Sequence, residues 1–321
     1  AHTHLAFGGW RADEFAARIR GTSYLDIARA GGGSAATVRA TRAASEDDLR
    51  ERAAGFLAEM RTLGVTTVEA KSGYGLTVAD ELKTLRAYRR LSERQPTRIV
   101  PTCLAAHIVP PEYADDRDAY VRLLTDELLP QVAAEKLAEF CDVFVEDTAP
   151  TPDEARTIFS AAERYGLRAK LHADQLTDTG GASLAAETRA VSADHLECVS
   201  DDGIAAMAEA GVVAVSLPLA TLYLHVAPLP VRRLIEAGVA VAVATDFNPG
   251  SAPSYHLPFA LTLACTMQRM SPAEALKGAT LYAARAIGMD AEVGSLEPGK
   301  RADFAVIDAP DVDYWLYHLR P

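Results

Sequence analysis

The strongest constraint on how this chain can fold is a repeated one. Short apolar runs recur along it, and each ends in residues that can do chemistry. They are TTVEAKSGYG (Thr66–Gly75), IVPTCLAAH ending at His107, CDVFVED ending at Asp147, AKLHADQ ending at Gln175, VSADHLE ending at Glu197, GVVAVSLP ending at Pro218, and VAVAVATDFNPG ending near Gly250. Stretches with helical periodicity lie between them. Ser45, with Asp48 three residues on, opens a helix-like segment that runs to Leu63, and Thr151-Pro152-Asp153-Glu154 opens one that runs to Tyr165. Both starts place a capping hydroxyl and early acids where the first helical N–H groups need partners. Asp201–Ala210, Pro230–Ala237, Pro272–Leu281 and Ala283–Ile287 repeat the pattern. Alternating β-α units of this size predict parallel strands joined by right-handed crossovers. An eighth strand ending in the opening HTH, with most of its body upstream of residue 1, completes an α/β fold of the (β/α)8 TIM barrel type over residues 1–290. Residues 291–321 stand apart. GSLEPGKRADFAVIDA (Gly294–Ala309) is turn-rich and then hydrophobic, and reads as the C-terminal strand segment of a small composite β-sandwich outside the barrel.

In such barrels the C-terminal ends of the strands form the active-site face. Here those ends carry His2 and His4, Lys71 to Tyr74, His107, Glu146, His172 and Gln175, His195, and Asp246 with Asn248. His2 and His4 are two apart, a spacing that aims both imidazoles to one side of an extended segment. His2, His4, His172, His195 and Asp246 are candidate metal ligands, a donor set that suits a borderline divalent ion such as zinc or iron. Each also has a plainer explanation. His172 is explained equally by a buried imidazole bonded to a carbonyl, His195 by partial exposure beside Asp194, and Asp246 by a turn before Asn-Pro-Gly. What favours the metal reading is that all these strand ends point at one mouth.

Composition narrows the function further. Acidic residues outnumber basic ones 44 to 32, for a formal charge of −12, which argues against a general nucleic-acid-binding surface. A small anionic substrate stays open, because one local arginine overrides a global sign. Ala210 to Val231 is the most apolar long stretch, but three prolines and His225 interrupt it, so no membrane partner is expected. Four cysteines without a C-x-x-C pair suggest reduced thiols and a cytoplasmic setting. AGGGS (Ala30–Ser34) lacks the Lys-Ser/Thr of a phosphate-binding loop.

HTH on the first run, the histidines of the fifth and sixth, and the ATD of the eighth resemble the amidohydrolase superfamily. VFVED has no lysine where many members carry a carboxylated one between two metals, so the resemblance implies the mononuclear branch. His2, His4, His172 and Asp246 would hold one ion, Zn2+ or Fe2+/Fe3+, with His195 and Asp246 catalytic beside an ion-activated water. The motifs HTHLAFGGWR, TTVEAKSGYGL, AAHIVPPEY, KLHADQ, SADHLE and TDFNPGS, running from residue 2 towards SLEPGKRADFAVIDA, resemble more narrowly the imidazolonepropionase family. That implies ring opening of 4-imidazolone-5-propanoate to N-formimidoyl-L-glutamate in histidine degradation, and a homodimer. It also places Arg11, Tyr74, His107, Gln175, Asn248, Gly250 and Ser251 around a small-molecule substrate with a carboxylate tail. Arg11 is the natural partner of that tail, because guanidinium meets carboxylate with two parallel hydrogen bonds; its plainer reading is a surface ion pair. Two departures matter. Family members begin with a strand-rich segment that these residues lack, and Gln175 stands where some members have Glu, which moves proton transfer towards His195 and Asp246. The rival readings are a mononuclear deaminase of a cyclic amidine or nucleobase, and an inactive fragment. Arg11 separates the first of these, since a nucleobase has no carboxylate to pair.

Overall fold

The computed structural model describes residues 1–22, 26–27, 30–146 and 149–319. Asp147, the expected end of the fourth run, lies outside the described residues. Each of the seven runs forms a strand: β1 (Thr67–Lys71), β2 (Arg98–Ala106), β3 (Phe140–Val145), β4 (Arg168–Ala173), β5 (Ser192–His195), β6 (Val213–Ser216) and β7 (Val241–Val243). They pair in sequence order in one sheet, every pair parallel. Most strand residues are buried, as expected when helices cover one face of a parallel sheet and the curl of the sheet encloses the other. Local signals set the helices between them. Ser45 and Asp48 close a reciprocal capping box on Glu46–Thr62, and Thr151 and Glu154 close another on Pro152–Arg164.

The sheet has seven strands rather than eight among the described residues, and residues 2–4 form no strand of their own. They still bridge its two edges. The Thr3 carbonyl accepts from the Lys71 N–H at 2.9 Å, and the His4 N–H donates to the Phe247 carbonyl at 2.9 Å. The Thr3 hydroxyl adds a bond to the Glu69 carbonyl at 2.6 Å. Two backbone bonds are too few for a ladder, but they pin both histidines at the C-terminal rim. Below this bridge β1 and β7 do not pair, and a groove of about 450 Å³ opens beside Val65, Val68, Val243 and Ile287.

Within residues 291–321 no strand forms among the described residues. Residues 301–307 carry no strand among the described residues, and Phe304 and Val306 are 64% and 86% exposed. Hydrophobic alternation makes a strand only where a neighbour supplies ladder hydrogen bonds, and none does so among the described residues. A helix follows, Val312–Tyr317, whose Leu316 is buried and accepts at its carbonyl from the Thr262 hydroxyl at 2.9 Å. No described helix is long and apolar enough to cross a membrane.

Candidate active site

Strand register delivers the imidazoles. His172 pairs with Asp194 across β4 and β5, and Ala173 with His195. His2, His4, His172, His195 and Asp246 are all buried. Nitrogen atoms of His2, His4 and His172 lie within 4.8 Å of one another, and so do donor atoms of His2, His195 and Asp246. His2 Nε2 is 3.4 Å from His4 Nε2 and 3.2 Å from Asp246 Oδ1, and His4 Nε2 is 3.5 Å from the same oxygen. His172 Nε2 and Asp246 Oδ1 are buried without a hydrogen-bond partner among the described residues. Orphaned buried polar atoms are costly. A cation of the kind that prefers mixed imidazole and carboxylate donors would satisfy both, so the residues fit a divalent metal.

The opposite edges of two of these rings are fixed. His2 Nδ1 donates to Asp194 Oδ2 at 2.6 Å and His172 Nδ1 to Asp142 Oδ1 at 3.0 Å, which leaves each Nε2 lone pair facing the cluster. Protonation states agree with ligand duty, which needs neutral imidazole. Burial lowers His172, and brings His4 down to about 4. Burial also holds His107 and His195 well below the usual histidine range. His2 is the exception. Burial and the Lys71 charge oppose its cation, but the nearby carboxylates of Asp194 and Asp246 prevail and raise it. Burial likewise opposes the Asp246 carboxylate, yet His2 and His4 hold it well below its ordinary value.

Beneath the histidines the interior is charged rather than aliphatic. Lys71 Nζ donates to Asp142 Oδ2 at 2.6 Å and Glu69 Oε1 at 2.8 Å, and lies 3.2 Å from Asp194 Oδ2. Lys170 Nζ is 3.0 Å from Glu69 Oε2. One cation thus braces both carboxylates that orient histidines. Apart from Lys71, taken only as a strand end, and Asp194, noted only as a neighbour of His195, these residues drew no attention in the sequence.

The residues expected around a substrate gather on the same rim. Gly73 has φ +110°, and a Cβ there would lie 2.8 Å from the Leu104 carbonyl oxygen, so only glycine fits. Buried Glu81 accepts from the N–H groups of Gly73, Gly75 and Leu76 at 3.1, 2.7 and 2.8 Å and clamps that loop. Tyr74 so held lies 5.8 Å from the His4 ring and 5.2 Å from that of His107, and its hydroxyl donates to Asn248 Oδ1 at 3.0 Å. Asn248 Oδ1 also accepts from Gly250 N–H at 2.8 Å, and Ser251 Oγ donates to Asp246 Oδ2 at 2.8 Å. The Arg11 guanidinium rests on Gly250, where a Cβ would come within 2.3 Å of Nη1, while its Nε donates to Thr37 at 2.8 Å. Gly250→Ala is therefore expected to leave the fold intact but displace Arg11, raising KM about tenfold with kcat nearly unchanged in steady-state kinetics.

Two expected rim residues behave differently. Gln175 is half-buried, and among the described residues its only hydrogen bond is its carbonyl accepting the Cys198 thiol at 3.7 Å. Glu146 accepts from the Leu176 N–H at 2.8 Å and from the Thr177 hydroxyl, so it anchors the loop after β4. The backbone is strained where chemistry concentrates: His195, Leu196 and Asp246 have φ of 79°, 67° and 58°, a region non-glycine residues seldom occupy. Glu197, just beyond, was seen in the sequence only as the end of a run. Burial pushes its carboxyl up to about 7.

A curled parallel sheet with a metal-ready rim of histidines and one aspartate defines a metal-dependent hydrolase class. The chain belongs to the amidohydrolase family, whose model matches residues 1–314. Within it the chain aligns with imidazolonepropionases. It is 52% identical over 320 residues to that of Symbiobacterium thermophilum, covering 99% of this chain and 75% of the relative. It is 50% identical over 317 residues to that of Geobacillus thermodenitrificans, with the same two coverages, 99% and 75%. In fold it is similar to a 5-methylcytosine deaminase from Klebsiella pneumoniae liganded with 5-fluorocytosine, with a TM-score of 0.75 at 19% identity, covering 98% of this chain and 80% of that one.

Proposed function

We propose that the chain hydrolyses the cyclic amide of 4-imidazolone-5-propanoate to N-formimidoyl-L-glutamate, the imidazolonepropionase step of histidine degradation, with a single Zn2+ or iron ion. The observation that carries this reading is a juxtaposition: Tyr74 and Asn248 join a histidine-aspartate cluster to an arginine seated on Gly250. The relatives at about half identity over nearly the whole chain support the same substrate.

His2, His4, His172 and Asp246 would hold the ion. When bound, it supplies Lewis acidity for the attacking water and the ring carbonyl. The chain's own groups do the rest. Ser251 donates to Asp246 Oδ2 and so leaves Oδ1 facing the cluster, and the Asp246 carboxylate is the proton acceptor. Asp246 then returns that proton to the departing ring nitrogen. Neutral His195, on the same rim, hydrogen-bonds the carbonyl oxygen as charge builds there; such a donor contributes about 3–4 kcal/mol to the barrier. Arg11 holds the propanoate. We place the enzyme in the cytoplasm, in keeping with its four unpaired cysteines.

The test follows the loss of imidazolonepropanoate absorbance with zinc-loaded protein. Arg11→Ala should raise KM about 10- to 100-fold, since a hydrogen bond to a charged group contributes about 1.5–3 kcal/mol. An unchanged KM, or turnover of a nucleobase in place of the propanoate, would favour a deaminase instead.

A further inference from the structure

We propose that Glu197 is a positioning residue for His195, the two side chains holding one proton between His195 Nδ1 and Glu197 Oε2 and so fixing which ring nitrogen faces the substrate. The inference rests on the proposed function for what His195 does, and on geometry for the pairing itself. His195 Nδ1 and Glu197 Oε2 are both buried, and neither has a hydrogen-bond partner among the described residues. They face each other at 3.7 Å. Side chains only 3% and 2% exposed have little water to turn to. One proton held on Glu197 Oε2 and donated to His195 Nδ1 satisfies both atoms and leaves the single N–H of the neutral imidazole on Nε2, the nitrogen that donates to the carbonyl oxygen. Hydrogen bonds among catalytic groups are commonly long before substrate binds and tighten afterwards.

The surroundings hold the pair in register. Glu197 Oε1 accepts from the Thr221 hydroxyl at 3.1 Å, and Thr221 is itself buried in the helix Pro218–Leu224 that follows β6. The other oxygen is thereby left towards His195. The consecutive left-handed residues His195 and Leu196 turn the chain between the two side chains. That turn is tied down by backbone bonds from Leu196 to Ala173 at 3.0 Å and from Cys198 to Asp174 at 2.8 Å. Such strain persists only where surrounding structure over-determines it. The other two histidines with a fixed ring edge, His2 and His172, lean on aspartates braced by Lys71. His195 has no such aspartate, and Glu197 fills that role from two residues along its own strand end.

The experiment reads the ring directly. In zinc-loaded protein labelled with 15N-histidine, His195 is assigned among the eight histidines by its loss in His195→Gln, and its tautomer is read from the ring nitrogen shifts. Wild type is expected to show one tautomer. Glu197→Leu should show a mixture or the opposite one, with kcat about 100-fold lower, KM within twofold and the melting temperature little changed. Glu197→Gln, which still offers a donor and an acceptor, should recover most of kcat and the single tautomer. An unchanged tautomer in Glu197→Leu overturns the proposal, even if activity falls, because that would be a merely structural role. Should Glu197→Leu fail to fold, Thr221→Val, which frees the other carboxylate oxygen, takes its place: a shifted tautomer population with a smaller loss of kcat supports the pairing, and an unshifted one refutes it. Wild-type protein without ring-opening activity would defeat the functional reading while leaving the tautomer comparison intact.

Discussion

Asp246→Asn lowers kcat for ring opening by about 1,000-fold or more, while the melting temperature stays within a few degrees of wild type. Proton transfer by a placed side chain contributes roughly 100- to 10,000-fold, and Asp246 is placed for it: Oδ1 lies 3.2 Å from His2 Nε2 and 3.5 Å from His4 Nε2, with no hydrogen-bond partner of its own. Asparagine keeps the size of the side chain and can still accept from Ser251 Oγ, now 2.8 Å from Oδ2. The local fold therefore has no reason to change. What it loses is the negative charge that completes the donor set and the base that takes the proton. Stopped assays of turnover and metal content by mass spectrometry should fall together. Full turnover in the variant would remove Asp246 from both roles and the mechanism with it. Because Asp246 sits at φ 58°, where asparagine is also tolerated, backbone strain does not confound the result.

Much of this site was legible before any coordinates, and the reason is local. A strand reveals itself by its apolar run and a helix by its cap, so all seven strands and the Ser45 and Thr151 capping boxes follow from short windows. Histidines at the ends of those runs must meet once the strands are parallel and the sheet curls. The contacts that could not be read are those whose meaning depends on a distant partner. Glu69 and Lys71, Lys170 and His172, and Ser192 and Asp194 each stand two apart on a strand, which is the signal of one shared face. Charged residues in a strand nevertheless read as solvent-facing by default, and only the pairing of Lys71 with Asp142, 71 residues away, makes burial tolerable. Glu81 was invisible for the same reason, since its partners are the backbone N–H groups of a loop and carry no side-chain signature. The C-terminal run shows the converse: alternation around Phe304 and Val306 is genuine, but a strand is a relation between two segments, and none pairs with it among the described residues.

Lys71→Met should be the most damaging core substitution in the molecule, destabilising it by about 3–5 kcal/mol, the usual cost of breaking a buried ion pair by removing one partner. The cluster of Glu69, Asp142, Asp194, Lys71 and Lys170 is at most 1% exposed, so its two ammonium groups are the main offset to three carboxylates that water does not reach. Asp142 and Asp194 retain bonds to His172 and His2, but lose the ammonium that sets their direction. Metal affinity, measured by chelator competition, should therefore fall about 10- to 100-fold, as is typical when an outer partner of a ligating histidine is removed. Charge and position can be told apart. Glu69 touches Lys71, Lys170 and Thr102, and no histidine. Adding Glu69→Gln to Lys71→Met restores the charge balance of the cluster, and should recover much of the stability in denaturant titration. It cannot restore the brace between Asp142 and Asp194, so metal affinity should stay low. Recovery of both together would mean that Lys71 acts only as a counter-charge, and a single Lys71→Met variant as stable as wild type would mean that the carboxylates it touches are not charged at all.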